Sequence, residues 1–490
     1  MLALPLLAPA WLAGCGSIGG PGLDELNATH DIDDPNVDDT PAAAPFVAGQ
    51  RRDVGDADAV LRLEALPESL EGVVSVGDLD GDGLGDLALL VRRHNPPDVV
   101  PCEDGCPAFA QSVTYLVYGA RTLDATLAPA AELVGWHLND LRHSVAAAGD
   151  VDGDGLSDLA ISIGSIGCDQ GNVLVVRGGP RMSGTHDVRD VGALVRESGT
   201  CARLGDGVGV GDLDGDGHDE VVVATPGTDR AFLFYGTDEV PPPRRSEENA
   251  EAVFVGASIG AARGVGDVNG DGLADLVLGV APSTVQRLTD ERTHVMIFGA
   301  ATRMTGEQAL LDAPHLEAAI VRGVGDVTGD GIDDLGATVT SGPHGAFVIA
   351  GRPSWPSTLD VRASEIRIAH EATTAPNEAA TIVGAGDVDG DGHDDLLYGV
   401  PAYEGGIEAP RGAVHLFRGP IAGTRTLEDA TTFLGQLWRG DLDDAPRGAD
   451  ELGRLIVGDV DLDGDGLDDL VLPAPTAPEG RVYVWRGRRS

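Results

Sequence analysis

The chain has 490 residues, 42% of them hydrophobic and 4% aromatic, with 70 Gly and 30 Pro. Its 80 acidic residues face 33 basic ones, every one an arginine, and the formal net charge is −47. The apolar content suffices for a core and argues against wholesale disorder. The charge argues against nucleic-acid binding, which needs a basic patch, and against direct docking on anionic lipid.

Residues 1–14 (MLALPLLAPAWLAG) form an apolar run shorter than the roughly 20 residues a membrane-spanning helix needs. Leu12-Ala13-Gly14-Cys15 resembles a bacterial lipobox. The expectation is a lipoprotein-type signal peptide over 1–14, then a lipidated Cys15 and a flexible acidic tether over 15–56 with no apolar periodicity. The folded part is expected over 57–490. Export suits the remaining cysteines, which are even in number. Cys102 and Cys106 lie four apart, and Cys168 and Cys201 remain. Two disulfides are expected, because zinc would need a second closely spaced pair.

From residue 77 onward one motif recurs seven times: Gly-Asp-x-Asp-Gly-Asp-Gly-x-x-Asp-Leu, with small variations. Counting from the first Asp, oxygen-bearing side chains at positions 1, 3, 5 and 9 can converge on one point. The position-7 carbonyl adds a ligand, and Gly at 4 and 6 allows the curl. Hard oxygen donors in flexible geometry suit Ca²⁺, up to seven ions here, better than Mg²⁺. The expected ligands are Asp78, Asp80, Asp82 and Asp86; Asp150, Asp152, Asp154 and Asp158; and Asp212, Asp214, Asp216 and Glu220. They continue as Asp267, Asn269, Asp271 and Asp275; Asp326, Thr328, Asp330 and Asp334; and Asp387, Asp389, Asp391 and Asp395. In the seventh copy, GDVDLDGDGLDDL, two residues look inserted, and the better frame is Asp461, Asp463, Asp465 and Asp469. The fifth site, with Thr328, is expected to be weakest by ligand charge.

Each loop follows a short Gly/Val/Ala run and precedes an apolar stretch such as DLAISI or EVVVAT. A third strand ending near Gly comes next (NVLVVRG, AFLFYG), then a more variable fourth (AELVGW, EAVFVG). Four short strands per unit, seven times over, predict an all-β, seven-bladed β-propeller of four-stranded antiparallel blades. The chain ends on a third strand, RVYVWRGRRS, while residues 57–65 resemble a fourth. The N-terminal strand is therefore expected to complete the last blade and remove an open edge.

These units resemble FG-GAP repeats, the integrin-α-type propeller, from about residue 57 to 490. Phe254-Val255-Gly256 and Gly279-Val280-Ala281-Pro282 carry the name-giving strings. The resemblance implies Ca²⁺ between the first two strands of a blade, on the lower face, and ligand binding on the upper face. On that scheme Cys168 and Cys201, and the insertion holding Cys102 and Cys106, belong to the upper face.

Several motifs are better explained by the repeat or by composition. Gly256-Ala257-Ser258-Ile259-Gly260 fits a nucleophile elbow but occupies a repeat slot. Arg439-Gly440-Asp441 is close to chance in this composition, and His143, His218 and His393 form no zinc pattern. Trp136 and Trp438 can stack on sugar, though edge packing is the simpler reading. Asp441, Asp443, Asp444, Asp450 and Glu451 make an acidic stretch without a catalytic constellation. The expected function is a calcium-binding, lipid-anchored, monomeric module of the bacterial cell envelope. It would be exposed at the outer membrane or cell surface and bind a surface protein or glycan. No enzyme activity is expected; the alternative is a polysaccharide lyase or hydrolase on a propeller scaffold.

Overall fold

A computed structural model describes residues 50–53, 57–62, 68–94, 110–123, 129–134, 142–164, 172–196, 207–225, 229–238, 245–246, 250–256, 259–280, 292–310, 313–339, 345–369, 380–401, 412–435, 452–474 and 481–489. All of them lie in one compact unit, Pro45–Ser490. The strands make seven sheets, the seven blades of a propeller.

Blade 2 shows the plan. Its innermost strand, Arg142–Gly149, pairs antiparallel with Asp158–Gly164, which pairs with Asn172–Val176, which pairs with Gly192–Arg196. The acidic loop is the connection between the first and second strands. In the second strands of blades 3 to 7, five consecutive residues are buried, because both faces of a blade meet a neighbour. The core follows from that. Buried apolar side chains fall into seven clusters, each drawn from two adjacent blades.

Most blades carry five strands, not the four expected. The fifth is parallel to the fourth and is lent by the next blade, from between that blade's third and fourth strands. Gly184–Asp187 of blade 2 pairs with Ala131–Val134 of blade 1, and Thr424–Thr426 of blade 6 with Ile366–Ala369 of blade 5. In blade 2 the lent strand ends at Asp187, whose carboxylate accepts from the Arg189 N–H and caps one helical turn, Val188–Val191. Val188 is buried, and the turn sends the chain back as the fourth strand.

Closure uses both chain ends. Ala59–Arg62 pairs antiparallel with Arg481–Trp485, which pairs with Leu470–Ala474. Ala59 and Leu61 are buried in the junction between blades 7 and 1, while Val60 packs on the other side. Gln50–Asp53 pairs in parallel with Thr432–Gly435, as the strand blade 7 lends to blade 6. Residues 50–53, expected as tether, form a strand, and the compact unit reaches back to Pro45.

The five cysteines lie outside the described residues, as do Ser258, Trp136, Trp438 and the acidic stretch 441–451. Among the described residues no helix is long and apolar enough to cross a membrane.

Candidate metal loops

The first Asp of each loop organises the turn. In loop 4, Asp267 Oδ1 accepts from the Gly270 and Asp271 N–H at 2.7 and 3.1 Å, and Oδ2 from Gly272 at 2.7 Å. Loop 7 repeats this about Asp461, with Gly464, Asp465 and Gly466 as donors at 2.7, 3.2 and 2.9 Å. The position-5 carboxylate accepts from the position-7 N–H, as Asp82 does from Leu84 and Asp465 from Leu467 (both 3.0 Å). The glycines at positions 4 and 6 have φ between +68° and +90° in all seven loops. At position 4 a side chain would also strike the next blade, as Gly153 would strike His218; at position 6 the space is open and φ alone demands glycine.

Position 9 is a buried staple. Asp86 Oδ2 accepts from the Leu79 N–H and Oδ1 from Gly119, both at 2.8 Å, which ties the loop to the third strand of its own blade. The same pair of bonds recurs on Asp158, Asp275, Asp395 and Asp469. In loop 5 the first donor is one residue later: the Thr328 N–H donates to Asp334 Oδ2 at 2.8 Å, and Gly351 to Oδ1 at 2.9 Å. Burial, opposed by these bonds, pushes the carboxyls up to about 7 for Asp86, Asp158, Asp275 and Asp395, about 6 for Asp334, and about 8 for Glu220 and Asp469.

The four-carboxylate convergence anticipated from spacing is complete only in loop 3; four other loops bring three carboxylates together, and among the described residues loops 4 and 5 bring together no group of three. Carboxylate oxygens of Asp212, Asp214, Asp216 and Glu220 lie within 4.8 Å of one another. So do those of Asp78, Asp80 and Asp86; Asp150, Asp152 and Asp154; Asp387, Asp389 and Asp391; and Asp461, Asp463 and Asp465. Glu220 is fully buried, its carboxylate held by the Leu213 and Gly236 N–H groups; Asp152 Oδ1, also buried, has no hydrogen-bond partner. An unsatisfied buried carboxylate oxygen is costly, and a cation coordinated there removes the cost. The loops therefore fit a hard divalent cation.

The seventh loop contains no insertion. Gly458 sits against Ala385 as Gly384 sits against Val324 and Gly323 against Val265, each three residues before its loop. Asp459 takes a slot held elsewhere by a buried Val or Ala, adopts φ +55°, and turns its side chain outward. Val460 is buried in its stead, where other blades have glycine. With Asp333 and Asp394, Asp459 lines a cavity of about 420 Å³ beside the innermost segments of blades 4 to 7; desolvation raises the Asp333 and Asp394 carboxyls.

Sequence reasoning missed the arginines. Arg177, Arg418 and Arg486 pair with Asp152, Asp389 and Asp463 at 2.7, 2.9 and 3.1 Å. Arg181 bridges Asp80 and Asp82, and Arg303 bridges Asp214 and Asp216, each reaching across from the following blade. His218, near the second loop, lies between Asp216 and Asp238.

Sheets, loops and glycines together define an acidic-loop β-propeller. The chain carries FG-GAP repeats: residues 212–278 match the FG-GAP-like repeat, and residues 379–417 and 453–485 match the FG-GAP repeat. No curated protein matches. Similar solved structures include a rhamnogalacturonan lyase PL11 of Bacillus licheniformis (14% identity, 92% of this chain and 76% of that one, TM-score 0.38). The exotype rhamnogalacturonan lyase YesX (12%, 88% and 76%, 0.40) is another. A third is a Dyadobacter fermentans protein of unknown function (9%, 88% and 99%, 0.37).

Proposed function

We propose that the chain is an exported, calcium-stabilised propeller, held at the bacterial envelope by a lipid on Cys15, that binds a surface protein or glycan. The supporting observation is the third loop, where the fully buried Glu220 is grouped with the carboxylates of Asp212, Asp214 and Asp216. Oxygen-only donors at this spacing favour Ca²⁺. The acidic loops stiffen one end of the propeller.

Two measurements test this. Calcium titrated into EDTA-treated protein should release or absorb heat and raise the melting temperature; a flat titration removes calcium from the reading. A glycan and surface-protein binding screen should give EDTA-sensitive hits. Turnover of a polysaccharide would replace the binding module with an enzyme.

A further inference from the structure

The seven loops differ at position 3, and the difference is compensated. Five loops have Asp there, with a nearly buried side chain: Asp80, Asp152, Asp214, Asp389 and Asp463 are 2%, 7%, 4%, 2% and 5% exposed. Each of the five is ion-paired through Oδ2 to an arginine. The other two loops have Asn269 and Thr328, and among the described residues no arginine pairs with any acidic side chain of loops 4 and 5.

The arginine arrives by two routes. The residue just after the third strand of each blade is Tyr118, Arg177, Tyr235, Phe298, Ala350, Arg418 or Arg486 in chain order. Where it is arginine, it serves the loop of its own blade. Where it is tyrosine, its ring carries an arginine from the following blade: Arg181 lies 5.1 Å over Tyr118 and Arg303 4.7 Å over Tyr235. Where it is Phe298, the partner from the following blade is Trp355, at 6.4 Å, and the loop has Asn269. In that loop the amide supplies its own donor, Asn269 Nδ2 to Asp271 Oδ2 at 3.1 Å.

We propose that these arginines offset the position-3 carboxylate, so that the four side-chain ligand positions carry one formal charge in all seven loops. Four carboxylates with one guanidinium, or three carboxylates with none, both leave −3. His218 changes loop 3 only when protonated. The arginine occupies Oδ2 of the position-3 Asp and leaves Oδ1 toward the loop, where in Asp80, Asp214, Asp389 and Asp463 it meets the position-5 N–H. This rests on reading the loops as calcium sites, and it replaces the expectation that loop 5 is the weakest. Loops 4 and 5 are thereby not set apart from the other five, because electrostatic attraction for a divalent cation is set by local charge; the carboxylates of Asp219, Asp333, Asp394 and Asp468, which the next blade brings to the first-Asp N–H of loops 2, 4, 5 and 6, cut across that division.

The test is calorimetric titration of EDTA-treated protein with Ca²⁺, beside melting in EDTA. The wild type should not separate into five sites and two. R177Q/R418Q/R486Q should split into three sites tighter by about tenfold and four unchanged. Adding D152N, D389N and D463N should remove that split. In EDTA the triple variant should melt well below the wild type, and the sixfold variant should recover most of the loss, since a lone buried carboxylate is worse than a neutral amide. Wild-type titration that resolves five and two sites, or an unsplit triple variant, overturns the proposal. If no calcium heat appears at all, the calcium reading fails, and the melting cycle still judges the pairing: additive losses in EDTA overturn it.

Discussion

Blades 4 and 7 are built from the same repeat but from different kinds of chain. Blade 4 takes its four antiparallel strands from one continuous stretch, Ile259–Gly266 through His315–Ala318, and receives Thr358–Asp360 as a fifth. Blade 7 has Leu470–Ala474 and Arg481–Trp485 from one end of the chain and Ala59–Arg62 from the other. Its inner position is reduced to an isolated bridge, Val457 with Val471. Asp58 clamps the seam, accepting from the Arg486 N–H at 2.9 Å and pairing with Arg488. The comparison teaches that a propeller needs each junction filled, whatever the chain connectivity. The loop geometry of blade 7 is the same as that of blade 4, so closure is a matter of packing, not of the metal loops.

The largest expected effect comes from opening that seam. Deleting residues 50–62 removes Ala59 and Leu61 from one junction and leaves two sheets with bare edges. The shortened protein should melt at least ~10 °C below the full chain or fail to fold, whereas deleting 16–44 should shift melting by no more than ~2 °C. Equal melting temperatures would refute closure by the N-terminal strands.

Next come the position-9 staples. Asp469→Ala leaves the buried Leu462 and Gly487 N–H groups without acceptors, and Asp275→Ala does the same to Val268 and Gly299. Each should cost about 2–6 kcal/mol in denaturant melts, from two unsatisfied donors. The Asp469 variant should lose more, because blade 7 has fewer ladder bonds to hold the loop. Equal losses would show that the seam adds no weakness.

The same carboxyls set a pH dependence. Their folded values, about 6 to 8, lie above the 3.8 or 4.5 of the free groups, so the folded state binds more protons between those limits. Stability of the calcium-free protein is then full below about pH 4 as far as these groups go, and is lost as pH rises toward 8. In EDTA the protein should melt higher at pH 5 than at pH 8, by roughly 5 °C or more. A cation in the loops favours the ionised form, so excess calcium should shrink or reverse the difference. A melting temperature that rises with pH in EDTA would contradict the buried-staple description.

The acidic loops were legible because their chemistry sits at fixed spacing on one short segment. Asp at 1, 3, 5 and 9 with Gly at 4 and 6 has few alternatives, and strands such as EVVVAT announce themselves by composition. The lent strands were not legible. GTHD, TLD and TRT are exposed or half-buried and have no apolar alternation, and their partners belong to the preceding blade. QRRD at residues 50–53 likewise has no apolar alternation, and it pairs with the blade before it. The arginines were hidden differently: Arg177 and Arg181 do equivalent jobs from non-equivalent slots, so no alignment of repeats reveals them. Likewise GDVDLDGDG suggested an insertion, where the backbone shows Asp459 and Val460 exchanging inward and outward places.

The smallest expected effect separates loop from seam most cleanly. Gly272 in loop 4 and Gly466 in loop 7 have φ of +88° and +81°, and a Cβ at either would meet nothing within 4 Å. Alanine there changes only the cost of the left-handed conformation, about 1–2 kcal/mol. If the loops are local units fixed by their own Asp side chains, the two variants should lose the same stability in urea, within ~0.5 kcal/mol. A markedly larger loss for Gly466→Ala would mean that strain at the closing blade is shared with its loop. In that case the division drawn between packing at the seam and geometry in the loops would have to be given up.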